Sequence, residues 1–189
     1  MLLAWYQARS TTREQPLQWL DLMAGCGIRG LRWGLEAASA SPLPAQILVN
    51  DADGDRRPLL EHNLRPVAAA TCSSVSAERL LCEAQLEGRR FDLIDLDAFG
   101  HPGALIQPAL QALDTDGILV LASTDGRSPT GHDRPGAIRS FGAAARVHPA
   151  SWELALRQQL GLLARQAWLL GRGIQPLLSF SDGRTFRLA

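Results

Sequence analysis

The sequence predicts an α/β domain built on a mostly parallel, seven-stranded sheet that closes with an antiparallel hairpin. Three observations carry that expectation. Short apolar runs alternate with stretches of helical period through most of the chain, the pattern of strand-helix-strand crossovers. The turn after the first apolar run holds Gly25, Gly27 and Gly30 and leads into a helical stretch. The tail, "IQPLLSFSDGRTFRLA", reads as two strands around "SDGR", a hairpin signal.

Taken in order, "LQWLDLM" from Leu17 to Met23 is the first strand, and a helix begins near Ile28 with Ile28, Leu31 and Leu35 on one face. "AQILVN" is the second strand, ending at Asn50. The helix after "DADGDRRP" has acidic residues and Pro58 near its first turn. "CSSVSA" is a weak third strand, and "ERLLCEAQLEG" a short helix closed by Gly88. "FDLIDL" is the fourth strand. "GALIQPALQALDTDG" is a helix despite Pro108, and "ILVLAS" is the fifth strand. The long helix after Ser151 carries Leu156, Leu160, Leu163, Ala167 and Leu170 on one face and stops at Gly171. Only Ser123 to Ala150 resists this order. It is rich in Gly, Pro and Arg, and a connection of that length is usually functional or mobile. Its Arg127, Arg134, Arg139 and Arg146 suit phosphate contacts or a solvated loop equally well.

A length of 189 residues suits one domain, here the whole of 1–189, and a hydrophobic share of 46% is enough for a real core. The 19 basic side chains are all Arg and are balanced by 19 acidic ones, so no global basic field advertises a nucleic-acid partner. Arg does make the better bidentate phosphate contact. Cys26, Cys72 and Cys82 form no C-x-x-C pair, so neither a metal site nor a disulfide framework is indicated. The start turns polar too soon for a signal peptide, and no apolar run nears the roughly 20 residues that span a bilayer. A soluble, cytoplasmic protein is expected, away from membranes. Its oligomeric state is left open.

Gly25, Gly27 and Gly30 form a literal G-x-G-x-x-G, with Asp51 about 20 residues on at the end of the second strand. At face value this Rossmann-like fingerprint suggests a nicotinamide dinucleotide and an oxidoreductase. Asp21 argues otherwise. It ends the first strand four residues before Gly25, where a carboxylate repels a pyrophosphate but suits a cationic ligand. S-adenosyl-L-methionine carries a sulfonium and an amino group and no phosphate. Asp-x-x-x-Gly-x-Gly with an acid ending the second strand is the pattern of class I methyltransferases.

"FDLIDLDAFGHP" (91–102) puts three aspartates in or beside an apolar strand. An ionised carboxylate is costly to bury unless it is paired, so each is either satisfied or used. In open α/β sheets ligands bind beyond the carboxyl ends of the strands, which is where Asp97 falls. A carboxylate there can accept the N–H bonds of an exocyclic amine, orient the nitrogen lone pair and take the released proton. Phe99 offers a face for a base to stack on, and Gly100 permits close approach. Asp95 shares a face with Asp97, and one of the two has room for a structural role.

These segments resemble the tRNA (guanine-26 N2)-dimethyltransferase family, the Trm1 type. "AGCGIRGLRWGLE", "VNDAD", "FDLIDLDAFGHP", "LASTDGRSPTG" and "WELALRQQLGLLARQA" match that family's segments in order across nearly the whole chain. The resemblance implies an S-adenosylmethionine-dependent enzyme that methylates the exocyclic amine of a tRNA guanine. It also implies that Gly25, Gly27 and Arg29 line the methionine end, that Asp51 binds the ribose, that Ser76 and Ala77 sit by the adenine, and that Asp97 and Phe99 hold the guanine. Two positions depart from the family: Ala98 stands where it has Pro, and Ser76 where it has Asp. The family's upstream Asn-Arg-Asp stretch and its C-terminal domain have no counterpart in these 189 residues. The chain therefore reads as the catalytic domain of such an enzyme. The alternative is a fragmentary domain that binds the cofactor or RNA without turnover.

Overall fold

A computed structural model describes residues 1–10 and 14–189. The strands are β1 (Leu17–Asp21), β2 (Ala45–Asn50), β3 (Ala70–Ser73), β4 (Phe91–Asp97), β5 (Leu113–Ser123), β6 (Ser179–Ser181) and β7 (Phe186–Leu188). They form one seven-stranded sheet in the order β3-β2-β1-β4-β5-β7-β6. The pairings of β1 with β2 and β4, and of β2 with β3, are parallel, while β5-β7 and β6-β7 are antiparallel. This is the α/β architecture expected from the sequence. The helices are α1 (Leu2–Ser10), α2 (Ile28–Arg32), α3 (Arg57–Leu64), α4 (Ala77–Leu86), α5 (Gly103–Ala112), α6 (Arg127–Thr130), α7 (Arg134–Phe141) and α8 (Ser151–Leu169). The chain divides into two compact units, residues 1–96 with 111–119 and residues 97–110 with 120–189.

In the first unit β4 is buried along almost its whole length, which explains its nearly continuous apolar run. Asp92 is tolerated there because its Oδ2 accepts the backbone N–H of Gln18 at 2.7 Å. The helix after β1 starts where expected, but it packs through a different face. Ile28 and Leu35 are exposed, whereas Gly30, Trp33 and Ala37 are buried. The small residues set this choice. A Cβ on Gly30 would lie 2.6 Å from Val49 Cγ2, and one on Gly34 2.3 Å from Val67 Cγ1, so backbone packs directly on the neighbouring side chains. After Arg32 the helix loosens into a π turn over Trp33–Ala37. Trp33 then stands edge-on to Trp19, with ring centroids 6.1 Å apart.

Helix α1 has no counterpart among the elements read from the sequence. It buries Ala4, Gln7 and Ala8 and leaves Leu2, Trp5 and Tyr6 exposed, and Gln7 Oε1 accepts the Trp19 indole N–H at 3.0 Å. The third strand runs over 70–73 rather than from Cys72 to Ala77. The second half of that stretch turns into α4, whose N-cap is Ser76, with Arg79 N–H donating to its Oγ. Gly88, with φ 68°, closes α4 as expected.

The helix expected to reach Gly117 ends at Ala112, with Pro108 inside it, and Leu113 already belongs to β5. The polar "DTDG" has the composition of a loop. Its strand continues into the buried segment 118–123, and Asp116, with φ 61°, absorbs an irregular step.

In the second unit the Gly- and Arg-rich connection is ordered into α6 and α7. Asp125 Oδ1 accepts the N–H groups of Arg127 and Ser128, and Asp133 caps α7 at Gly136 N. Gly131, with φ 94°, lets two backbones cross. A Cβ there would lie 2.5 to 2.7 Å from the main chain of Arg146 and Val147. Gly131→Ala is expected to cost about 2 kcal/mol or more, because backbone cannot step aside as a side chain would. A urea midpoint measures it. The buried stripe of α8 is Ala155, Gln159, Leu163 and Ala167, so Leu163 and Ala167 fall where expected while Leu156, Leu160 and Leu170 are half-buried. Gly171, with φ 71°, follows its end. In the closing hairpin Asp182 Oδ1 gathers the backbone N–H groups of Arg184 and Thr185 and the Thr185 hydroxyl. Those bonds pull the Asp182 carboxyl below its ordinary pKa.

No helix among the described residues is long and apolar enough to cross a membrane. Among the same residues, no group of three or more His, Cys, Asp or Glu is placed to hold a metal ion.

Candidate active site

The first unit gathers the glycine turn and its acids. Asp21 ends β1 and is fully enclosed. Its Oδ1 accepts two bonds from Arg29, from Nε at 3.1 Å and Nη2 at 2.9 Å. The same Nη2 donates to the carbonyl of Met23 at 2.6 Å, and Nη1 lies 3.7 Å from Asp95 Oδ1. Arg29 thus ties together the end of β1, the start of the turn and Asp95. It places a positive charge beside two carboxylates that would otherwise be costly to bury. Asp21 and Asp95 face each other in register on β1 and β4.

Gly25 and Gly27 both have positive φ, 60° and 79°. A Cβ on Gly27 would also lie 2.9 Å from Leu60, whereas one on Gly25 would meet only the tip of Arg56 at 3.8 Å. So Gly27 is needed for packing and conformation, Gly25 for conformation alone. The N–H of Gly25 donates to Asp51 Oδ2 at 2.7 Å. In a phosphate-binding turn such an N–H would face the anion. Here it is given to a carboxylate, which removes a donor a pyrophosphate would need. Asp51 Oδ1 accepts from Asp53 N–H at 3.0 Å. Each carboxylate oxygen can accept a second bond, and the side chain is partly exposed. That leaves acceptor capacity for a pair of hydroxyls. Ser76 is exposed, with its Oγ engaged by the N-cap bond, and Ala77 is buried.

Asn50 is a residue the sequence reading passed over. It is fully buried at the end of β2. Its Nδ2 donates to the carbonyls of Leu22 and Val75, each at 3.0 Å, and its Oδ1 accepts from Ser73 Oγ and Val75 N–H. The turns after β1 and β3 are therefore pinned to one side chain. An amide closing an apolar strand was the available signal.

The second unit carries the other candidate residues. Asp97 ends β4 with its side chain 29% exposed, and its Oδ2 accepts from Arg187 Nη2 at 3.0 Å. Ala98 is buried, and Phe99 is 98% exposed. Gly100, with φ 72°, is held from several sides. Its N–H donates to Thr124 Oγ1 at 2.6 Å. Its carbonyl accepts from Ser123 Oγ and from the N–H groups of Thr124 and Asp125. Next along, His101 stands edge-on to Phe141 at 4.9 Å, and burial pushes its imidazole pKa down against the opposing pull of Asp125. Nothing in the sequence singled out Arg187, which sits in the short strand β7.

Residues 1–188 match the family model described as N2,N2-dimethylguanosine tRNA methyltransferase. The chain belongs to that family. Among curated relatives it is 31% identical over 176 residues to the tRNA (guanine(26)-N(2))-dimethyltransferase of Methanocorpusculum labreanum, covering 92% of this chain and 42% of that protein. Against the human enzyme of the same name identity is 32% over 171 residues, covering 89% and 25%. Among solved structures, Trm1 from Pyrococcus horikoshii in complex with S-adenosyl-L-methionine superposes with a TM-score of 0.80 at 28% identity, over 92% of this chain and 49% of that one. The chain thus spans less than half the length of these family members. A ribosomal protein L11 methylase from Lactobacillus delbrueckii, at 18% identity and a TM-score of 0.60, shares the fold.

Proposed function

We propose that this chain is the catalytic part of a soluble, cytoplasmic S-adenosylmethionine-dependent tRNA (guanine-26 N2)-dimethyltransferase. The observation that carries the reading is the exposed Phe99 ring two residues from the half-exposed carboxylate of Asp97, in a chain of this family. S-adenosylmethionine fits the first unit by its chemistry. Asp51 has acceptor capacity for the ribose hydroxyls, and the Gly25 N–H is given to Asp51 rather than aimed at a phosphate, while Asp21, enclosed and bonded to Arg29, holds the start of that turn. When bound, the cofactor supplies an electrophilic methyl group.

Asp97 accepts N–H bonds from the guanine and orients the N2 lone pair. Methylation of N2 by the bound cofactor would release one proton from that nitrogen, and Asp97 or water would take it. A second round gives the dimethylated base. Phe99 stacks on the guanine, and the exposed Arg127, Arg134, Arg139 and Arg146 are available for tRNA phosphates.

The test is incubation with methyl-labelled S-adenosylmethionine and tRNA transcripts carrying G or A at position 26. Label is expected in the G transcript alone, recovered as N2,N2-dimethylguanosine. Cofactor binding without incorporation would favour a domain that binds without turnover. Calorimetric binding of NAD and not of S-adenosylmethionine would overturn the cofactor assignment. Because Phe99 is exposed, Phe99→Ala is expected to leave thermal unfolding unchanged and to lower kcat/KM for the tRNA roughly 10- to 100-fold through lost stacking.

A further inference from the structure

We propose that Arg187 reads O6 of the target guanine, so that Asp97 and Arg187 together form a guanine-selective edge. The proposal deepens the function given above and rests on it. Guanine presents two donors in sequence, its exocyclic N2–H and ring N1–H, and then an acceptor, O6. Adenine reverses this, with an acceptor at N1 beside a donor amine. A carboxylate next to a guanidinium offers two acceptors followed by a donor, the complement of guanine and the opposite of adenine.

The structure supplies that pair ready-made. Asp97 Oδ2 and Arg187 Nη2 lie 3.0 Å apart, and their side chains are 29% and 38% exposed, so both remain reachable. The guanidinium carries five N–H groups and gives one to Asp97. Arg187 is also well anchored. Its backbone sits in register between Ala122 of β5 and Phe180 of β6, so the side chain starts from a fixed point. Phe186 and Leu188, which flank it in sequence, are buried, and Phe186 stacks on Trp152 with centroids 5.7 Å apart. Alternation along the strand then sends Arg187 to the other face. The planar fork of Arg suits contact in the plane of a base better than a Lys ammonium would.

A bland role would have Arg187 only hold Asp97 in place. Transcripts with guanine or 2-aminopurine at position 26 separate the two. 2-Aminopurine keeps the reactive amine but has hydrogen where guanine has O6. It also lacks N1–H, a loss felt by Asp97 that cancels when enzymes are compared. Arg187→Ala is expected to lower kcat/KM for the guanine transcript about 10- to 100-fold and for the 2-aminopurine transcript by less than about twofold. Arg187→Gln, which keeps a shorter donor, should fall between them on guanine. Equal losses on both transcripts would overturn the proposal and leave Arg187 a support for Asp97. Should the unaltered chain methylate neither transcript, the functional reading fails separately, and the same transcripts are compared by binding. A guanine preference reduced by Arg187→Ala or Arg187→Gln then sustains the base-reading role, and an undiminished or absent preference removes it.

Discussion

Asp97→Asn is expected to lower methyl incorporation into a guanine-26 transcript by about 100-fold or more, with S-adenosylmethionine binding retained by calorimetry. The substitution keeps volume and shape. It replaces an oxygen that accepts with an amide that donates, so in the proposed reaction the N–H groups of the base meet another N–H, and the carboxylate proposed to take the released proton is lost. Arg187 also loses its ion pair, since its Nη2 now bonds Asp97 Oδ2 at 3.0 Å. Asp97 is partly exposed and the replacement has the same shape, so the fold is expected to survive the change. Matching circular dichroism spectra would show that a fold defect does not explain the lost activity. Equal activity in the two proteins would remove Asp97 from the reaction.

Asn50→Ala has the largest expected effect on stability. It deletes four hydrogen bonds in a fully buried place and strands the carbonyls of Leu22 and Val75 and the N–H of Val75. An unsatisfied buried group costs about 1–3 kcal/mol, and a small cavity adds to it. A loss of about 3 kcal/mol is expected, which for a chain of this size lowers the melting temperature by roughly 10 °C. The turn after β1 that Asn50 pins is the glycine loop, and the Asn50 carbonyl itself accepts the Ala24 N–H at 2.8 Å. S-adenosylmethionine affinity should therefore fall with stability. An unchanged melting temperature would show that water replaces the amide.

The strands were largely legible and the helix faces were not. Runs such as "AQILVN" and "FDLIDL" are apolar because strands covered on both sides must be, so their places in the sequence are unambiguous. The helices pack through small residues. In α1 the buried face is Ala4, Gln7 and Ala8, in α2 it is centred on Gly30, and in α8 Ala155 and Ala167 flank Gln159 and Leu163. Hydrophobic periodicity weighs large apolar side chains, so it pointed to Ile28 and Leu35, which are exposed, and missed α1 altogether. "DTDG" misled for a related reason, since its polar composition hid a strand.

At the candidate site the legible part was the one with residue types unusual for their surroundings: glycines in a turn, and aspartates in an apolar strand. Asn50 and Arg187 escaped because their partners, Val75 and Asp97, are distant in sequence and only folding brings them together.

The clamp on Gly100 bears on how fast a substrate can be captured. An aromatic ring surrounded by water tends to fall back onto whatever apolar surface is nearest, and a slack loop would let Phe99 do so. Three donors on the Gly100 carbonyl and one acceptor for its N–H prevent that retreat. The ordering entropy of the loop is settled when the chain folds, before any RNA arrives. In the proposed reaction the ring then acts as a fixed hook on an incoming nucleotide, and the delay in an encounter comes from the RNA, which must swing its base out of the stack.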